Sequence, residues 1–271
     1  MNVMRAQRDQ LFEYGPFTIR RQRPGEGFGP LAIIDQMSLK MDARITMHTR
    51  QDEEIFSYVW RGSAQHLTEQ GEKTALNAKR AMLVSAGSGV RYEESAPFVE
   101  TEMLQVYIRP AKSGGAPRTL DFTRADGPSL NVWTLLAGPE SSDAPLRLGQ
   151  EVFIYDLKVE RGAQVEVPHI TGFSTWLTLL DGIVQVGDER LMQGDSISEQ
   201  GALPAVRGAR DAAGARGHPH PGAAAGHRLP RFGPHRPGRD HRHLDGRRGT
   251  QPARGTADQR PHRQRHHHGD G

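Results

Sequence analysis

The chain contains no cysteine. That excludes a disulfide framework, a thiolate nucleophile and every cysteine-ligated zinc or iron–sulfur site. It is also short of apolar residues, at 35% of 271 positions. Folded domains carry roughly 45–50% on a similar count, so some part of this chain lacks the means to build a core. No run of about 18 apolar residues occurs, and no membrane span is expected. Met1 to Gln10 is polar and lacks the apolar stretch of a secretory signal. The expected location is the cytoplasm.

Lysine and glutamate are missing from one region only. From Val206 to Gly271 there are fourteen Arg and five Asp but no Lys and no Glu, a net charge of +9. The whole chain carries +3, which leaves 3 − 9 = −6 for residues 1–205. The body is mildly acidic, and no nucleic-acid partner is expected for it. Beyond Arg207 the only large apolar residues are Leu229, Phe232 and Leu244, while ten of the thirteen His lie between His218 and His268. Such a segment cannot bury enough apolar surface to offset chain entropy, so residues 205–271 are expected to be a disordered tail. Three readings of it stay open. It could bind nucleic acid through its arginines, or metal through tracts such as His266, His267 and His268. It could also be a shifted frame of a GC-rich gene, which accounts for the missing Lys and Glu. The last reading implies that the folded part stops just after Gly194-Asp195-Ser196, before its final strands.

What remains, residues 30–200, reads as short strands. Glu54 to Trp60 is β-branched and aromatic, and Gly62 closes it. Ala64 to Thr68 follows, then Met82 to Ser85 and the turn Ala86-Gly87-Ser88-Gly89. Glu102 to Ile108 alternates, with Met103, Gln105 and Tyr107 on one face and Leu104, Val106 and Ile108 on the other. Further strands are expected at Glu151 to Val159, Gln164 to Val167, Ser174 to Leu180 and Ile183 to Val186. Val59-Trp60-Arg61-Gly62 and Leu179-Leu180-Asp181-Gly182 share one layout, which marks a repeated unit. The expected architecture is all-β, two jelly-roll barrels in one chain. The expected domains are residues 1–120, residues 121–204 (a truncated second barrel) and the tail from 205.

Three ordered stretches carry a family likeness. The first runs from His48-Thr49-Arg50 through Glu54 and Ser57-Tyr58 to Gly62. The second is Ala86-Gly87-Ser88-Gly89-Val90-Arg91-Tyr92-Glu93-Glu94, and the third is Leu104-Gln105-Val106-Tyr107-Ile108-Arg109-Pro110. Together they resemble the pirin family of double cupins and its quercetinase-like bacterial members, over roughly residues 1–200.

The resemblance implies a metal site of three His and one Glu in the first barrel, holding iron or another divalent metal. Its four positions fall on His48, Arg50, Tyr92 and Glu94. Only His48 and Glu94 are ligand types the family uses. Arg50 stays protonated and has no lone pair to offer, and a Tyr92 phenolate would need a strongly lowered pKa. The expectation is therefore no resident metal, with Arg50 neutralising Glu94 through a bidentate pair and Tyr92 adding a hydrogen bond. His66 also matches a family His but is expected to be a barrel-wall or surface residue; His169 is expected to be structural. Two functions compete. One is a non-catalytic protein binding a small molecule in the first barrel, or a partner, in a regulatory or stress-related role. The other is a quercetin 2,3-dioxygenase-like oxygenase with Glu94 as catalytic base.

Overall fold

The structure is a computed structural model and describes residues 1–25 and 28–209. Among them there is no α-helix, only the 3-10 turn Ala6–Arg8 and 21 strands. The expected all-β architecture is present. No helix among the described residues is long and apolar enough to cross a membrane.

The first half is one curled 11-stranded sheet. The strand Thr101–Ile108 lies between Leu31–Leu39 and Glu54–Arg61, and Glu54–Arg61 pairs in turn with Arg80–Ser85. The alternation expected in Thr101–Ile108 is realised. Met103 and Tyr107 join the core inside the barrel, with Ile55, Val59, Met82 and Val84. Val106 and Ile108 face outward into a second core with Phe56, Tyr58, Leu83, Leu136, Leu146 and Leu148. This explains why Glu54 to Val59 is buried without a break. A strand covered on both faces has no solvent side on which to place polar residues.

The second half is built from three smaller sheets. Ile183–Val186 appears as expected, whereas only Ile154–Asp156 forms within the longer stretch expected at 151–159. Its own core is Val184, Val186, Leu191, Ile197, Leu203 and Val206.

Three boundaries differ from expectation. The strand Arg118–Thr123 pairs with Arg80–Ser85 and so runs across the expected division at residue 120. The chain start crosses the other way: Asn2–Met4 pairs with Ser196–Glu199. Arg5 and the Ala6 amide both bind the Asp195 carboxylate, each at 2.9 Å. The third difference is the end of the folded part. Ser196–Glu199 is a strand, and Val206–Gly208 adds another between Gln164–Val165 and Ile183–Val186. Val206 and Gly208 are buried on either side of the exposed Arg207, the alternation of a strand with one covered face. The composition break near Pro204 therefore precedes the last strand of the described fold. The disorder expected for the tail falls, from Arg210 onward, outside the described residues.

Candidate functional site

Strand register assembles the four motif positions. Ala43–Arg50 pairs with Val90–Ala96 so that His48 lies opposite Tyr92. Ser63–Thr68 flanks the other edge of Val90–Ala96 and sets His66 opposite Glu94. In Val90–Ala96 the buried residues are Tyr92, Glu94 and Ala96, one face of a period-2 strand. Glu93, on the other face, pairs with Arg44 at 3.3 Å. Alternation thus sends the Glu93 carboxylate out and the Glu94 carboxylate in. A register shift between Tyr92 and Glu94 marks a bulge in the pairing with Ala43–Arg50, a feature that re-aims side chains near sites. There the His48 ring turns back on its own strand, Nδ1 lying 3.0 Å from the Thr46 carbonyl oxygen.

Tyr92 sits between two imidazoles. Its ring centroid is 4.7 Å from that of His48 and 4.4 Å from that of His66. His66 is fully buried in the barrel wall, and its Nδ1 has no hydrogen-bond partner. Burial draws the His66 pKa down to about 4, and the neighbouring His48 acts in the same direction. His48 is lowered as well, by burial and against the pull of the Thr46 carbonyl. Both rings are neutral at pH 7.

The expected Arg50–Glu94 pair is not formed. Gln105 takes its place: its Nε2 donates to Glu94 Oε1 at 2.7 Å and to Oε2 at 3.0 Å. The Tyr107 hydroxyl donates to Gln105 Oε1 at 2.8 Å, and Arg50 donates to that hydroxyl at 3.2 Å. The Arg50 guanidinium also lies over the Tyr107 ring, 5.0 Å from its centroid. Guanidinium, phenol, amide and carboxylate form one directed chain. Among the described residues the hydrogen bonds to Glu94 come from Gln105, not from Tyr92. The physical reason is depth. Glu94 is 2% exposed, whereas the Arg50 side chain remains 31% exposed and reaches toward Glu53 at 3.7 Å. Burial raises the Glu94 pKa to about 7, against the lowering effects of the Gln105 hydrogen bond and the Arg50 charge. Burial likewise pushes the Tyr92 hydroxyl well above its usual value, and the Glu94 charge adds to this.

These residues do not suit a divalent metal. Arg50 offers only donors. Tyr92 is held in its protonated form. Both Glu94 oxygens already accept from Gln105. Among the described residues no group of three or more His, Cys, Asp or Glu could hold a metal ion. His169 is exposed in a loop, away from any strand. Gln105 and Tyr107 were missed as site residues from sequence. The signal was available: a glutamine on the inward face of an otherwise apolar strand has to find a partner.

A curled sheet enclosing inward-facing polar residues, joined to a second small barrel, defines a double cupin. The family model described as Pirin matches residues 3–108, and the one described as Quercetinase C-terminal cupin domain matches residues 135–212. A relative named "Putative quercetin 2,3-dioxygenase" from Pasteurella multocida is 30% identical over 63% of this chain and 74% of its own length. The protein named quercetin 2,3-dioxygenase from Escherichia coli is 25% identical over 64% and 74%. The bacterial pirin YhhW of Escherichia coli, solved in complex with nickel(II), superposes with a TM-score of 0.68 at 20% identity, over 77% of this chain and 94% of that one. The chain belongs to the pirin family.

Proposed function

We propose that this chain is a metal-deficient pirin-family bicupin whose first barrel binds a small molecule without catalysing its oxidation. The role that fits is regulatory rather than degradative. The observation that carries the reading is the capture of Glu94 by Gln105, with Arg50 standing at a position where the family places a ligand. Both oxygens of Glu94 are engaged by Gln105, and a metal entering there would have to break those bonds. No protein partner is needed for the proposal, and the small molecule would enter beside Arg50, the most exposed member of the chain of hydrogen bonds.

A second reading rests on the relatives named as quercetin 2,3-dioxygenases. In it iron or another divalent metal would bind through His48 and Glu94, and Glu94 would serve as base. A carboxyl group with a pKa of about 7 is poised for proton transfer at neutral pH.

One experiment separates them. The purified protein is incubated with iron(II) or nickel(II), desalted, and analysed for metal beside an oxygen-uptake assay on quercetin. The proposal expects well under one metal per chain and no uptake above the protein-free rate. Stoichiometric metal with turnover would establish the oxygenase instead.

A further inference from the structure

A second polar site lies on the outer face of the second barrel. Four strands lie side by side there in the order Gln164–Val165, Val206–Gly208, Ile183–Val186, Glu189–Met192. Their register sets Gln164 opposite Arg207, Arg207 opposite Gln185, and Gln185 opposite Arg190. The alternating neighbours Val184, Val186, Leu191 and Val206 all point into the core. The four polar side chains therefore share the opposite face, in one row running across the strands.

This row lines a cavity of about 550 Å³, with Gly162, Gly208 and Ala209 beside it. A second cavity of about 210 Å³ shares Gln164, Gln185 and Arg207. The first is in the size range of small-ligand sites, roughly 300–1,000 Å³. Its chemistry is one-sided. Arg207 is oriented by Gln164, whose Oε1 accepts from its Nε and Nη2 at 3.2 and 2.6 Å. Gln185 spends one amide hydrogen on the Gly187 carbonyl and keeps the other. The Arg190 side chain is exposed and, among the described residues, has no partner. No acid lines the cavity, and two nearby ones, Glu189 and Asp195, are both held by Arg5. The strands that carry Arg190 and Arg207 lie about 10 Å apart, two strand spacings, and flank a neutral amide with no carboxylate of the row between them.

We propose that this row is a binding site for a phosphate-bearing small molecule, with Arg190 and Arg207 gripping the oxyanion from either side of Gln185. A tetrahedral dianion offers several acceptors at once, which suits two planar guanidinium forks and an amide hydrogen better than a single carboxylate does. The site is independent of the first barrel and of whether that barrel holds a metal.

The test is calorimetric titration of the full chain at low ionic strength, with inorganic phosphate, phenyl phosphate and acetate as probes. One saturable phosphate site per chain is expected. Arg190→Gln should weaken it roughly tenfold or more, and Arg190→Gln with Arg207→Gln should abolish it. Gln185→Glu should also abolish it, by placing a negative charge between the arginines. Stronger binding of phenyl phosphate would identify an organic phosphate monoester; equal binding would identify the free oxyanion. The arginine-rich residues after Ala209 are unchanged in every variant. Phosphate binding that persists in the double variant, or acetate binding as tight as phosphate, would overturn the proposal, as would a wild-type chain that binds no phosphate.

Discussion

Gln105 holds Glu94 by both carboxylate oxygens, at 2.7 and 3.0 Å. The nearest cation in the motif, Arg50, reaches that carboxylate only through Tyr107 and Gln105. Charge at the centre of the first barrel is therefore balanced at a distance, across two neutral side chains, and the buried carboxylate remains costly to ionise.

That cost sets a pH dependence. The folded-state pKa of Glu94 is raised to about 7 from an ordinary 4.5. Between those values the folded chain binds the proton more tightly than the unfolded chain, so stability falls as pH rises. The contribution is fully present below pH 4.5, is lost through pH 7 and is constant above. Its size is on the order of 3 kcal/mol. Glu94→Gln removes the titration. Urea unfolding of both proteins at pH 4.5 and pH 8 should show the variant gaining on wild type by about this amount. Parallel pH profiles would refute the assignment.

Restoring ligand types should restore metal binding. Arg50→His with Tyr92→His supplies two imidazoles beside His48 and Glu94, and it removes the cation that repels a metal. Elemental analysis after refolding with iron or nickel should find close to one metal per chain in the double variant and far less in wild type. Equal, low occupancy in both would count against the mapping of these four positions.

A buried polar cluster joins the halves. Asp156 accepts from Tyr58 at 2.9 Å and from Arg124 at 2.7 Å, and the two charged side chains are only 11% and 12% exposed. Asp156→Ala leaves a cation buried without its partner and should cost about 3–5 kcal/mol. Arg124→Met with Asp156→Leu removes both charges and should recover most of that loss. Chemical denaturation of the three proteins checks the order, and a double variant no better than the single one would contradict it.

Membership of Val206–Gly208 in the fold is testable at Gly208. A Cβ there would meet the Glu160 carbonyl oxygen at 2.0 Å, far inside contact distance. Gly208→Ala should lower the melting temperature by several degrees, corresponding to about 1–3 kcal/mol. A variant that melts like wild type would mean that this strand does not pack as described.

Much of this architecture was legible from one-dimensional pattern. Alternation in Glu102 to Ile108 assigned its two faces correctly, because period 2 in a strand is a geometric necessity. The repeated strand-and-glycine unit announced two barrels. Gly62, at φ 82°, closes the first strand of that unit where a Cβ would strike the Glu100 carbonyl oxygen. Other features were hidden because they join residues far apart in the chain. Asn2–Met4 looked like a polar terminus, yet it is a strand of the second half. Val206–Gly208 lay beyond the composition break, where three residues are too few to show a period.

Residue order alone carried the strand-rich class and the likeness to pirins, and it showed that Arg50 has no lone pair to offer a metal. The partner of Glu94 could be read only from the folded barrel. Charge complementarity pointed to Arg50, but depth within the barrel and the register of Thr101–Ile108 delivered Gln105 instead. Which groups meet inside a closed sheet depends on distances across strands far apart in sequence, and those distances exist only once the sheet has curled.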